Sequence, residues 1–146
     1  MELLLRDTLN YFKMIHKVFP DIEKTKSIFK MALEREKSLL KLDYKLFATI
    51  IAENYYEIIK ELSTALLLLE GIKFVGENAH KEIIDGMKKY ADFSEEEISI
   101  SQDLRIIRNK SMYECRQVNP LYLENNRYNL LKIIDKLKKI VGNRLK

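Results

Sequence analysis

At 146 residues the chain is sized for one domain around a single hydrophobic core and is too short for two. Hydrophobic residues make up 47% and charged residues 33%, with 4 Gly, 2 Pro and no Trp, a composition that predicts long helices and short connections. The single cysteine, Cys115, excludes an intrachain disulfide. The opening MELLLRDTLNYFK has an early Glu2 and no apolar run of the secretory kind, and the longest apolar run, Ala65 to Leu69, falls far short of the roughly 18 residues that span a bilayer. A cytoplasmic protein without a membrane partner is expected. The charged set leans on Lys and Glu, the bias of surface ion-pair networks in hyperthermophiles, and points to a thermophilic source. Net charge is +4, unevenly spread: residues 127–146 hold Arg127, Lys132, Lys136, Lys138, Lys139, Arg144 and Lys146 against Asp135 alone, which leaves the rest of the chain slightly acidic.

In chain order, residues 2–18 are predicted as a first helix, ended by Phe19 and Pro20 because proline disfavours the helical conformation in the residue before it. Asp21 offers an N-cap to a second helix reaching about Leu40, with Ile22, Phe29, Ala32, Leu33 and Leu40 facing inward. A third helix starts after Asp43 and runs to Glu70, where Gly71 supplies a left-handed stop. Its inward set is Phe47, Ile50, Ile51, Ile58, Leu62, Ala65, Leu66 and Leu69. Near its end apolar residues go all the way round, so the helix is either central or shared with a second subunit. A short helix from about Asn78 to Tyr90 contains Gly86, which weakens it. Ser94 and Glu97 then form a capping box that opens the helix carrying Leu104, Ile106 and Ile107. Asn119 as N-cap and Pro120 at the first helical position announce a basic C-terminal helix over 120–141, closed by Gly142. No stretch alternates long enough to predict a strand, and the fold class is an all-α, antiparallel up-and-down bundle of five or six helices in a single domain over residues 1–146.

Few residues offer chemistry. His16 and His80 fall on separate predicted helices with no His or Cys at ligand spacing, so no metal site is expected. Glu95, Glu96 and Glu97 are explained as favourable charge at a helix N-terminus. The glycines of EGIKFVGENAH have neither the spacing nor the strand context of a nucleotide loop, Ser63 and Ser111 lack a placed histidine, and no cofactor is expected. In LRIIRNKSMYECRQ, residues 104–117, Arg108 can bind a phosphate through its planar fork and Asn109 can hold a backbone or base edge. The plainer reading leaves Arg105 and Arg108 solvated, or pairs them with Asp103 and the acidic residues of a neighbouring helix, and packs Tyr113 against the bundle. Lys132, Lys136 and Lys139 recur at helical spacing, either as a stripe for nucleic acid or as cations complementing the helix dipole.

From about Leu46 to Glu114 the chain, in LFATIIAENYYEIIKELSTALLLLEGIKF and later FSEEEISISQDLRIIRNKSMYE, resembles the HEPN superfamily, most specifically in LRIIRN. The resemblance implies a helical bundle, commonly homodimeric. Many members are RNases of toxin–antitoxin and defence systems; others are RNA-binding modules or non-catalytic partners of small nucleotidyltransferases. The family pattern is Arg, often followed by Asn or another polar residue, then His after four to six intervening residues. Arg108 and Asn109 fall on its first two positions, and Tyr113 stands where the shortest form has histidine. No histidine follows His80, and Cys115 stands where some members carry a modified tyrosine. Histidine can move protons near neutrality, whereas tyrosine, with an ordinary pKa of about 10, is a poor base there. The expectation is therefore a homodimer binding RNA or nucleotide phosphate through Arg105, Arg108, Asn109 and Tyr113 without efficient catalysis. Two alternatives stand beside it. One is a metal-independent endoribonuclease in which Tyr113 replaces histidine or His80 arrives from elsewhere in the dimer. The other is an interaction partner of a nucleotidyltransferase that assembles through the apolar end of the third helix.

Overall fold

The computed structural model describes residues 15–90 and 92–146, and these form a helical bundle with one small two-stranded sheet. In order the elements are β1 (Ile15–Lys17), α1 (Ile22–Leu39), α2 (Ala48–Leu69), β2 (Ile72–Phe74), α3 (Ala79–Asp85) followed by a 3-10 turn (Gly86–Lys89), α4 (Glu95–Glu114) and α5 (Pro120–Arg144).

Most of the helix predicted over residues 2–18 lies outside the described residues, but its end is not helical. Ile15, His16 and Lys17 pair antiparallel with Phe74, Lys73 and Ile72, and the Val18 N–H continues the ladder to the Gly71 carbonyl at 2.8 Å. Pairing partners come from a segment more than fifty residues downstream, which local periodicity does not register. Gly71 makes this junction: its φ of +72° is left-handed, and a Cβ there would stand 2.6 Å from the Val18 carbonyl oxygen.

The helix directions follow from cross-helix partners. Arg35 of α1 binds Glu61 of α2 while Ile28 and Phe29 pack against Ala65 and Leu66, so α1 and α2 are antiparallel. Ser111 and Arg108 of α4 meet Glu53 and Glu57 of α2 in reverse order. Thr49 and Glu70, near the two ends of α2, meet Val118, just before α5, and Arg144 at its end, so these two helices run parallel. The four long helices therefore alternate in direction along the chain, the up-and-down arrangement predicted.

Helix α2 is the centre. Ile51, Ala52, Tyr55, Tyr56, Ile58, Ile59, Leu62 and Leu66 are buried, and so are Leu67 and Leu68 at its apolar end. That end is filled by the chain's own packing. On α1 the buried positions Thr25, Ala32 and Leu39 recur every seven residues, the spacing of a helix seam. Four residues predicted to face inward are instead exposed: Ile22, Leu40, Phe47 and Ile50. Ile22 begins α1 one turn before its first buried position, Leu40 follows its last helical residue, Phe47 is the N-cap of α2, and Ile50 lies on the same side of α2 as the polar Asn54, Glu57 and Glu61. Helix α5 continues to Arg144, past the stop expected at Gly142.

Candidate functional site

The phase of α4 is set at its start. The Glu97 N–H donates to Ser94 Oγ and the Ser94 N–H donates to Glu97 Oε1, each at 3.1 Å, satisfying two donors that a helix start would leave open. Ser101, Leu104 and Ser111 then face the core, and Gln102, Arg105 and Arg108 follow at three-residue intervals along the edge toward α2 and α3. Gln102 Nε2 donates to the Lys81 carbonyl and to Asp85 Oδ1, both at 2.9 Å, tying α4 to α3, and its Oε1 accepts from Arg105 Nε at 2.7 Å. The helix closes on Cys115, a non-glycine residue at φ 55°.

Arg108 does not point freely into solvent; its side chain is only 12% exposed. Nη2 donates to Glu57 Oε1 at 2.9 Å and Nη1 to Asn109 Oδ1 at 3.3 Å. The second Glu57 oxygen accepts from Lys60 Nζ at 2.6 Å. The carboxylate thus bridges two cations. Arg108 Cζ lies 5.1 Å and Lys60 Nζ 6.0 Å from the centroid of the Tyr56 ring, within reach of its quadrupole. His80 of α3 adds a third helix to the cluster, its ring centroid 6.2 Å from that of Tyr56. The Tyr56 hydroxyl is buried with no hydrogen-bond partner among the described residues.

These neighbours shift the titration of the cluster. Burial pushes the Tyr56 phenol up to about 12 against the pull of Arg108, so it is a neutral hydroxyl at any physiological pH. Burial opposes ionisation of Glu57, but the hydrogen bond from Lys60 and the charges of Lys60 and Arg108 prevail and hold it below the usual carboxylate range. His80 is held below its ordinary value by partial burial and then by Lys60, Arg108 and Arg105, with Glu57 opposing. It is a neutral imidazole at pH 7, able to accept a proton.

Of the residues singled out in the sequence, Arg105, Arg108 and Asn109 share this edge. The plainer expectation for Arg108, a carboxylate from a neighbouring helix, holds with Glu57 as the partner. Tyr113 does not pack against the bundle; it is 77% exposed. Lys132, Lys136 and Lys139 do not join the cluster. Lys136 binds Glu97 and the Asp92 carbonyl, each at 2.7 Å, and Glu97 lies eleven residues, roughly 16 Å of helix, from Arg108. Lys139 pairs with Asp135 at 2.9 Å, and Lys132 is exposed.

Sequence reasoning missed Tyr56, Glu57 and Lys60, and it brought in His80 only in one alternative, from elsewhere in the dimer. Glu53, Glu57 and Glu61 follow each other at four-residue spacing down one side of α2, and each is met from a neighbouring helix: Ser111, Arg108 and Arg35. That periodic acidic stripe was the available signal. Among the described residues no group of three or more His, Cys, Asp or Glu could hold a metal ion, and no helix is long and apolar enough to cross a membrane. Against known protein families, curated proteins and solved structures, the chain has no match.

Proposed function

We propose that this chain is a HEPN-like domain that binds a phosphate of RNA or a nucleotide at the edge formed by Lys60, Arg105, Arg108 and Asn109, with Tyr113 available to stack on a base. The observation that carries the reading is electrostatic. Arg108 Nη2 from α4 and Lys60 Nζ from α2 converge on the two oxygens of Glu57 at 2.9 and 2.6 Å, and with Arg105 they add to the burial that holds His80 below its ordinary value. Convergent cations on a partly water-excluded aromatic floor attract an oxyanion more strongly than the same charges spread over a surface. An NMR titration with inorganic phosphate tests the placement. Amide and side-chain shifts are expected to cluster at Lys60, His80, Arg105 and Arg108, whereas shifts confined to Lys132 and Lys139 on α5 would move the site elsewhere.

A second reading has its own support. His80, neutral at pH 7, stands in the same chain beside Arg108, so a metal-independent endoribonuclease needs no histidine from a partner. Here His80 takes the proton from a 2′-hydroxyl, the oxygen attacks phosphorus, and the bond to the 5′-oxygen breaks with water supplying its proton. The products are a 2′,3′-cyclic phosphate and a 5′-hydroxyl. Such products must vanish in both His80→Ala and Arg108→Ala; products surviving both would identify a contaminating nuclease. In either reading a second copy of the chain packs on exposed Phe47, Ile50 and Met112, where the start of α2 and the end of α4 meet. A nucleotidyltransferase as the partner instead is tested by co-purification with such an enzyme.

A further inference from the structure

We propose that Glu57 is a built-in competitor for the phosphate position, and that the site therefore selects phosphomonoester ends of RNA over internal diesters. The inference rests on the phosphate-binding reading and names the class of phosphate it takes. Its basis is the bridge: one oxygen of Glu57 accepts from Arg108 Nη2 at 2.9 Å and the other from Lys60 Nζ at 2.6 Å. Two oxygens of a phosphate would use the same two donors. The Glu57 and Lys60 side chains are each about one-fifth exposed and Arg108 less, so the bridge is reachable from solvent and yet shielded enough for its charges to matter.

An incoming anion must displace a carboxylate that already satisfies both cations, and the displaced group stays nearby as a like charge. An internal diester carries one negative charge. It replaces one anion by another of equal charge and gains nothing to offset the repulsion. A terminal phosphomonoester carries between one and a half and two negative charges near pH 7 and presents three strongly accepting oxygens. It can serve Lys60 and Arg108 together and still offer an oxygen to Arg105, one helical turn away on α4. The resting bridge thus screens out the phosphate most abundant along an RNA chain and admits the one found at its ends.

The test compares three oligoribonucleotides of one sequence, bearing a 5′-phosphate, a 3′-phosphate or hydroxyls at both ends, by fluorescence anisotropy. Wild type is expected to bind a phosphorylated oligonucleotide about tenfold more tightly than the all-hydroxyl one, the size of one added charge-assisted hydrogen bond. The two phosphorylated arms show which end is read. In Glu57→Gln the all-hydroxyl oligonucleotide should bind more tightly than it does to wild type and the preference should shrink toward unity. Glu57→Asp, too short to span both cations, should also lose preference and serves if the glutamine variant does not fold. Equal binding of all three by wild type, or weaker binding of all three by Glu57→Gln, overturns the inference. Binding of all three unchanged by Arg108→Ala would instead remove the phosphate reading beneath it.

Discussion

Arg108 is held by three different contacts: a carboxylate, an amide oxygen and an aromatic face. Its position is thereby fixed in the resting chain, and on the phosphate-binding proposal this lowers the ordering cost of recognition. Partial burial and the same cations keep His80 neutral, and the linkage sign follows. A histidine whose folded pKa lies below its unfolded value stabilises the fold fully above the unfolded pKa, and that contribution falls away as pH drops. His80 has an ordinary value of 6.5, so the loss begins near that pH. Glu57, Glu70 and Glu97, all held below 4.5 in the fold, lose their contributions only at more acid pH and in the same direction. Glu61 is raised, by burial first, and works against them. Melting temperature followed from pH 7 to 5 should fall less steeply in His80→Gln than in wild type. Parallel curves would mean that neither burial nor the charges of Lys60, Arg108 and Arg105 lower the imidazole.

Two glycines show how an element ends. Gly71 holds a left-handed φ of +72° with a backbone oxygen where its Cβ would be, whereas Gly142 lies within α5 and its Cβ would meet only Phe29 Cζ at 3.5 Å. Gly71→Ala is therefore expected to cost about 2 kcal/mol or more, and Gly142→Ala to add about 0.5–1 kcal/mol. Chemical denaturation of both variants checks the pair, and similar signs would contradict the account. This also shows what was legible in the sequence. Caps were readable because their chemistry is local: Asp21, Ser94 with Glu97, and Asn119 with Pro120 stand where expected. Gly142 misled because a glycine stops a helix only where the chain must turn, and the last turn of α5 is instead kept by Arg144 reaching Glu70 at 3.1 Å. The β1–β2 pair was hidden because its hydrogen bonds join distant segments.

At the scale of the molecule, α2 packs against every other long helix, and Glu70 at its C-terminal end gathers Lys89, which ends the 3-10 turn, Tyr90 just after it, and Arg144 of α5. Leu62, fully buried in the middle of α2, should cost about 2–5 kcal/mol when cut to alanine, and a loss below 1 kcal/mol by urea unfolding would deny α2 its central place. Helical class and direction could be foreseen because the apolar periodicity sets which faces must meet. The site could be foreseen only in part. Arg108 and Asn109 stand in a readable local motif, but Glu57 lies fifty-one residues away and His80 is carried in by α3, and only packing brings them together. The most direct test of the central claim is RNA binding by anisotropy for wild type and Arg108→Ala across a salt series, with a gel of the endpoint samples. The account predicts that Arg108→Ala binds at least about tenfold more weakly, with a salt slope shallower by about 0.7, the value of one single-strand phosphate contact. Equal affinities and equal slopes for the two proteins would contradict it.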